Sequence, residues 1–157
     1  MSEPKKPRKQ PLPETDSSAI LNALADPVFT VDAEGRFASL NNAAEQFLGS
    51  SARHMVGRPL TKVVSQDSPL HALIDQVRRH ATSVSQYGVT IESPRFGSRY
   101  VSIDVAPIPE MPGTVAVTLQ ERSIARKIDH QLTHRNAARS VTAMAAMLAH
   151  EVKNPLS

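Results

Sequence analysis

The chain has 157 residues, no cysteine and a formal net charge of +3. With 40% hydrophobic residues and no apolar run of membrane-spanning length, it is predicted to form one folded domain that has no membrane span and no secretory signal. The absence of Cys excludes disulfides, thiolate metal sites and a cysteinyl flavin adduct. We therefore expect a cytoplasmic protein.

The net charge comes from the first thirteen residues. Residues 1–13 hold four basic residues and one acidic residue, which leaves 18 − 4 = 14 basic and 15 − 1 = 14 acidic residues elsewhere. Four prolines in the same stretch disfavour regular structure. We predict a disordered, basic, Pro-rich tail over residues 1–13 and no nucleic-acid partner, although a basic arm that binds nucleic acid is the rival hypothesis.

The first elements of the body are short. Cap residues at 15–17 precede Ile20, Leu21 and Leu24 at helical spacing, which predicts a helix that ends before Pro27. Strands are predicted at Val28–Val31 and at 36–40, around a turn that ends at Gly35. Asn41 and Asn42 are predicted to cap the next helix, and Gly49 to end it.

A longer helix and three strands follow. Residues Leu70, Leu73, Ile74 and Val77 have helical spacing, with Arg78, Arg79 and His80 on the polar face. The period then changes from 3.6 to 2, and three one-sided antiparallel strands are predicted. Their alternating residues are Tyr87, Val89 and Ile91, then Val101, Ile103 and Val105, then Val115, Val117 and Leu119.

This order predicts an α+β domain over residues 14–121, with a five-stranded antiparallel sheet and short helices on one face. It resembles the PAS fold, including the Asn-rich helix entry and the Gly57-Arg58-Pro59 step. A long C-terminal helix, which begins a truncated helical dimerisation bundle, is expected over residues 122–157.

The last residues carry the clearest chemistry. At about 100° per residue, the residues Val141, Met144, Ala145, Leu148, Val152 and Leu156 lie within about 120° of one another on a helix. His150 lies on the side of the helix opposite the centre of this apolar stripe, and Asn154 is one turn further along the same exposed face. A neutral, exposed imidazole can attack a phosphoryl group, and the adjacent Glu151 can accept its other N–H or its proton.

Residues His150–Leu156 resemble the H box of histidine kinases, His-Glu-[Ile/Leu/Val]-[Lys/Arg]-[Asn/Thr]-Pro-Leu, at all seven positions. The resemblance implies that His150 is the phosphoacceptor for the γ-phosphoryl group of ATP, with Mg²⁺, and passes it to an aspartate of a response regulator. It implies that Glu151 is the general base and that Asn154 positions water for the phosphatase reaction. It also implies a homodimer, in which this helix contributes to a four-helix bundle.

The arrangement is most similar to the NtrB-like sensors of nitrogen regulation, through residues 20–28, 41–45 and 139–155. This resemblance implies an NtrC-like response regulator and, by family alone, a PII signal protein. Because the sequence ends at Ser157, we expect this chain to lack the ATP-binding domain of such kinases and to be inactive by itself.

We predict no cofactor and no metal for this chain. His54, His71 and His80 are weak candidates for haem ligation, and His130 and His134 form a weak i, i+4 metal pair. The alternative function is a PAS-type interaction and dimerisation module without phosphotransfer.

Overall fold

The computed structural model describes residues 15–123, together with Pro4. The predicted basic tail, apart from Pro4, and the predicted C-terminal helix with its H box lie outside the described residues. The helices are α1 (Ser17–Ala23), α2 (Asn42–Leu48), α3 (Ala52–Met55) and α4 (Pro69–His80), with a 3-10 turn at Leu60–Lys62. The strands are β1 (Val28–Val31), β2 (Phe37–Leu40), β3 (Val84–Ser93), β4 (Gly97–Pro107) and β5 (Val115–Glu121).

The five strands form one sheet in the order β2-β1-β5-β4-β3, and every neighbouring pair is antiparallel. The predicted five-stranded antiparallel sheet is therefore confirmed. This order places β1 beside β5. Because β5 is the central strand, the chain leaves the domain from the middle of the sheet. Hairpins join β1 to β2, β3 to β4 and β4 to β5, and the helices fill the connection between β2 and β3.

The core lies between one face of the sheet and the helices. Helix α4 contributes the four apolar residues that its spacing predicted. The predicted alternation of β4 and β5 is also confirmed, because the inward residues of both strands are at most 1% exposed. Phe29 and Phe37 join the two short strands, with ring centroids 5.4 Å apart.

Helix α2 shows why the local sequence specifies its ends. The Asn41 side chain accepts a hydrogen bond from the Ala44 N–H, and Gly49 ends the helix in the left-handed region at φ +66°. The first turn after β1 is closed by the Asp32 carboxylate, which accepts from the N–H groups of Glu34 and Arg36. Both the cap and the turn follow the sequence prediction.

One strand residue differs from the prediction. Tyr87 was placed on the same face as Val89 and Ile91, but its side chain is 66% exposed on the opposite face. The reason is a β-bulge between Gln86 and Val89, where Gly88 adopts φ +65° and adds one residue to β3. An extra residue reverses the alternation of side chains, so the simple period of two fails at this point.

Candidate functional site

The predicted phosphoacceptor group, His150, Glu151 and Asn154, lies outside the described residues, as do His130 and His134. These residues stay sequence predictions. What the structure shows is the domain that precedes them: its interior, its cavities and the end of the sheet from which the chain continues toward them.

The three histidines proposed as haem candidates lie apart from one another. His54 is exposed in α3 and its Nδ1 lies 2.9 Å from the hydroxyl of Ser51. His71 is half-buried in α4, with Nε2 3.5 Å from the Val64 carbonyl oxygen, and His80 is exposed at the end of the same helix. Within residues 15–123, no group of three or more His, Asp or Glu side chains could hold a metal ion.

Two small cavities flank helix α4. One, of about 150 Å³, is lined by His71, Ile74 and Arg78 together with Leu60 and the turn after β1. The other, of about 250 Å³, lies between the end of α4 and the loop that joins β4 to β5. Sites for drug-sized ligands typically measure roughly 300–1,000 Å³, so both cavities suit only smaller occupants. The prediction that the domain works without a cofactor stays a prediction.

Arg78 lines both cavities and has a role that the sequence did not reveal. Its Nη2 donates to the Asp32 carbonyl at 2.5 Å, and its Nε donates to the Gly113 carbonyl at 3.0 Å. The side chain thereby joins α4 to two loops at one end of the sheet. The loops meet closely, since a Cβ at Gly113 would lie 2.7 Å from the Ala33 Cβ. Helical spacing placed Arg78 on a polar face but could not identify carbonyl partners distant in sequence.

The opposite end of the sheet is the exit of the chain. Gln120 Nε2 donates to an Asp26 carboxylate oxygen at 3.2 Å, which joins the end of β5 to the loop after α1. Arg99 forms an ion pair with Glu121, and its guanidinium lies 5.7 Å from the centre of the Phe47 ring in α2. The final described residues are thus tied to the sheet and to its neighbouring helix. This exit is the part of the fold that any signal to the following residues must cross.

Among the described residues, no helix has both the length and the apolar character that a bilayer crossing requires. Residues 15–123 hold nine basic and eleven acidic residues, so this described part of the chain has a formal net charge of 9 − 11 = −2.

Comparison with known proteins agrees with this architecture. Residues 15–122 match the family model described as the PAS fold. The structure is similar to the PAS domain of nitrogen regulation protein NR(II) from Vibrio parahaemolyticus, with a TM-score of 0.61 at 23% identity, covering 69% of this chain and 100% of that chain. At this identity the likeness shows the fold alone.

The sequence is more closely similar to curated relatives. It is 51% identical over 142 residues to the sensory histidine kinase/phosphatase NtrB of Azospirillum brasilense, covering 90% of this chain and 36% of that protein. It is 50% identical over 142 residues to NtrB of Rhizobium meliloti, covering 90% of this chain and 37% of that protein. The chain thus spans little more than a third of the length of these relatives. It belongs to the PAS family, and 90% of its length is homologous to NtrB sensory histidine kinase/phosphatases.

Proposed function

We propose that this chain is the sensory and phosphoacceptor part of a cytoplasmic, nitrogen-regulating histidine kinase. The PAS domain occupies residues 14–121, after the basic tail of residues 1–13. Residues 122–157 form the signalling helix and the start of the dimerisation domain. The observation that carries this proposal is the seven-residue match of His150–Leu156 to the H box, within a chain about half identical to NtrB proteins.

The chemistry follows from the residues of that motif. A ring nitrogen of neutral His150 attacks the γ-phosphorus of ATP, the bond to the bridging oxygen breaks, and ADP leaves. Glu151 takes the proton from the other ring nitrogen, so that the phosphoimidazole is neutral at the ring. The phosphoryl group then passes to an aspartate carboxylate of an NtrC-like response regulator, and His150 regains its proton.

The reverse function uses the next turn of the helix. Asn154 can hold a water molecule through its amide and direct it at the phosphorylated aspartate of the regulator. Relatives named as kinase/phosphatases support a chain with both activities. The balance between the two activities would then be set by a PII signal protein and by the PAS domain, in a homodimer whose apolar stripes form the bundle.

The test is phosphorylation in trans. The chain is lengthened through the complete two-helix bundle of its gene and mixed with a homologous ATP-binding domain and radiolabelled ATP. Acid-labile, base-stable label is expected on the parent and none on His150→Gln, because glutamine has no nucleophilic ring nitrogen. We expect Glu151→Gln to slow labelling by about 10²- to 10⁴-fold, the range of general-base contributions.

His130→Gln and His134→Gln are the matched controls, because they remove histidines from the same predicted helical segment and should keep full labelling. A folded, dimeric parent that takes no label would contradict the kinase proposal. It would favour the interaction and dimerisation module as the function of the chain.

A further inference from the structure

Arg122, the first residue after β5, turns back over the outer face of the sheet. Its backbone N–H donates to the Tyr100 carbonyl at 2.9 Å, which extends the ladder between β5 and β4 by one residue. Its side-chain Nε donates to the Ser102 hydroxyl at 2.5 Å. Both the main chain and the side chain of Arg122 are therefore bound to β4.

The burial of Ser102 indicates that the Arg122 side chain covers this part of the sheet. The outer face is the face of the sheet opposite α4 and the apolar core. Small polar residues on a sheet face that is not packed against a core are ordinarily accessible to solvent. Ser102 is nevertheless only 2% exposed. The Arg122 side chain that binds its hydroxyl lies over it, half-buried itself. A long cationic side chain that covers a buried hydroxyl is a specific contact.

The third participant is Tyr87, whose ring the Arg122 guanidinium approaches to 5.7 Å from the centroid. Tyr87 lies on this face only because the bulge at Gly88 reverses the alternation of β3. The bulge is itself packed, since the Tyr100 hydroxyl occupies the space that a Cβ at Gly88 would need. The bulge at Gly88 therefore places the Tyr87 ring where the Arg122 guanidinium can contact it.

The residue before Arg122 is bound on the other face. Val101 pairs with Glu121 across the β4–β5 ladder and points into the core, so Glu121 shares the inner face. There its carboxylate pairs with Arg99, which lies against Phe47. Glu121 and Arg122, which are consecutive, are thus held on opposite faces of the sheet. The chain therefore reaches Ser123 from a fixed direction.

We infer that Arg122 is a positioning residue: docked over Ser102 and Tyr87, it sets the direction in which the chain leaves the PAS domain. The contacts are one partly buried hydrogen bond outside the apolar core and one cation–π contact, each weak enough to be released without unfolding the core. Release of Arg122 would free the exit while the sheet stays intact. Its consequence for signalling rests on the proposed function: the kinase-to-phosphatase ratio should change when Arg122 is released.

The test measures the direction of the exit itself. Because the chain has no Cys, spin labels can be placed at Gln76→Cys on α4 and at Lys127→Cys beyond the exit without removing native thiols. Pulsed electron resonance then gives the distance distribution between them, with an excess of unlabelled chain present to suppress distances between copies. The parent should give a narrow distribution.

Arg122→Gln and Ser102→Ala should each widen that distribution by about twofold or more, because they remove the docking contact from its two sides. Arg79→Gln is the matched control: it removes an exposed arginine whose only described bond is to Asp75 of its own helix, and it should leave the distribution unchanged. Unchanged thermal unfolding would show that each variant keeps its fold.

A parent distribution as wide as that of Arg122→Gln overturns the inference, and so do variants as narrow as the parent. The same substitutions in the full-length protein separate the two proposals. If the variants widen the distance distribution but His150 takes no radiolabelled phosphoryl group, the positioning role of Arg122 stands and the kinase proposal is rejected. If His150 is phosphorylated but the variants leave the distance distribution unchanged, the kinase proposal stands and the positioning role is rejected.

Discussion

Helices α1 and α4 have the same kind of amphipathic sequence, yet they are attached to the sheet by different means. Helix α4 buries Leu70, Leu73, Ile74 and Val77 in the core. Helix α1 buries none of its residues, and Ile20, Leu21 and Leu24 are 51%, 39% and 45% exposed. The comparison teaches that helical periodicity predicts a helix but not whether its apolar face is covered.

Hydrogen bonds from one buried side chain replace apolar burial at α1. Asn41 is 3% exposed, and its amide nitrogen donates to the carbonyl oxygens of Leu21 and Asp26. Its amide oxygen accepts from the N–H groups of Val28 and Ala44. One asparagine therefore joins α1, β1 and α2. Its amide nitrogen donates two hydrogen bonds and its amide oxygen accepts two, which is the full capacity of the side chain.

The largest expected effect separates the two helices directly. Leu70→Ala, at 0% exposure, should lower the free energy of unfolding by about 2–5 kcal/mol through lost burial and the cavity left behind. Leu24→Ala removes the same atoms from the exposed residue that caps α1, and should change the free energy of unfolding by less than about 0.5 kcal/mol. Urea denaturation followed by circular dichroism measures both. Similar losses of stability at the two positions would contradict this difference between the helices.

A smaller loss is expected at the polar attachment. Asn41→Ala should lower the free energy of unfolding by about 2–3 kcal/mol, because two N–H groups and two carbonyl oxygens that are buried or half-buried lose their partner. Asn41→Asp keeps the acceptor oxygen but removes both donors, so hydrogen exchange should rise at α1 more than at β1. Asn42→Ala is the control, since Asn42 is exposed and bonds through its backbone N–H to Asn22. Equal effects at 41 and 42 would reject the special role of Asn41.

The smallest effect concerns how the helices end. Helix α1 ends at Leu24 in an extended conformation, whereas α4 ends at Ala81 with φ +53°, in the left-handed region that disfavours residues with a Cβ. Ala81→Gly should therefore raise the free energy of unfolding by up to about 1 kcal/mol. Ala72→Gly, the same change on the exposed face of α4, should lower it by about 0.5–1 kcal/mol. Thermal unfolding compares them, and a loss at both positions would contradict the prediction.

Local signals explain why much of the fold could be predicted from the sequence. Val28–Val31 and the apolar residues of α4 were identified because alternation and helical spacing depend on neighbours within one or two turns. Asn41 and Gly49 were recognised as helix ends for the same reason. The prediction for Tyr87 was wrong because a single glycine bulge shifts the period of two. Gly88 was the signal that could have indicated the bulge, since a glycine inside a strand pattern often marks one.

The sequence by itself determined the five strands, the short helices and the His150–Leu156 motif, because each depends on residues close together along the chain. Only the tertiary structure decided that β1 lies beside β5, that Arg78 joins two loops, and that Arg122 docks over Ser102 and Tyr87. These contacts join residues separated by 20 or more positions, and their partners are backbone carbonyls, hydroxyls and ring faces. Such groups occur throughout the chain, so no local pattern distinguishes the ones that meet; the packing of the sheet selects them.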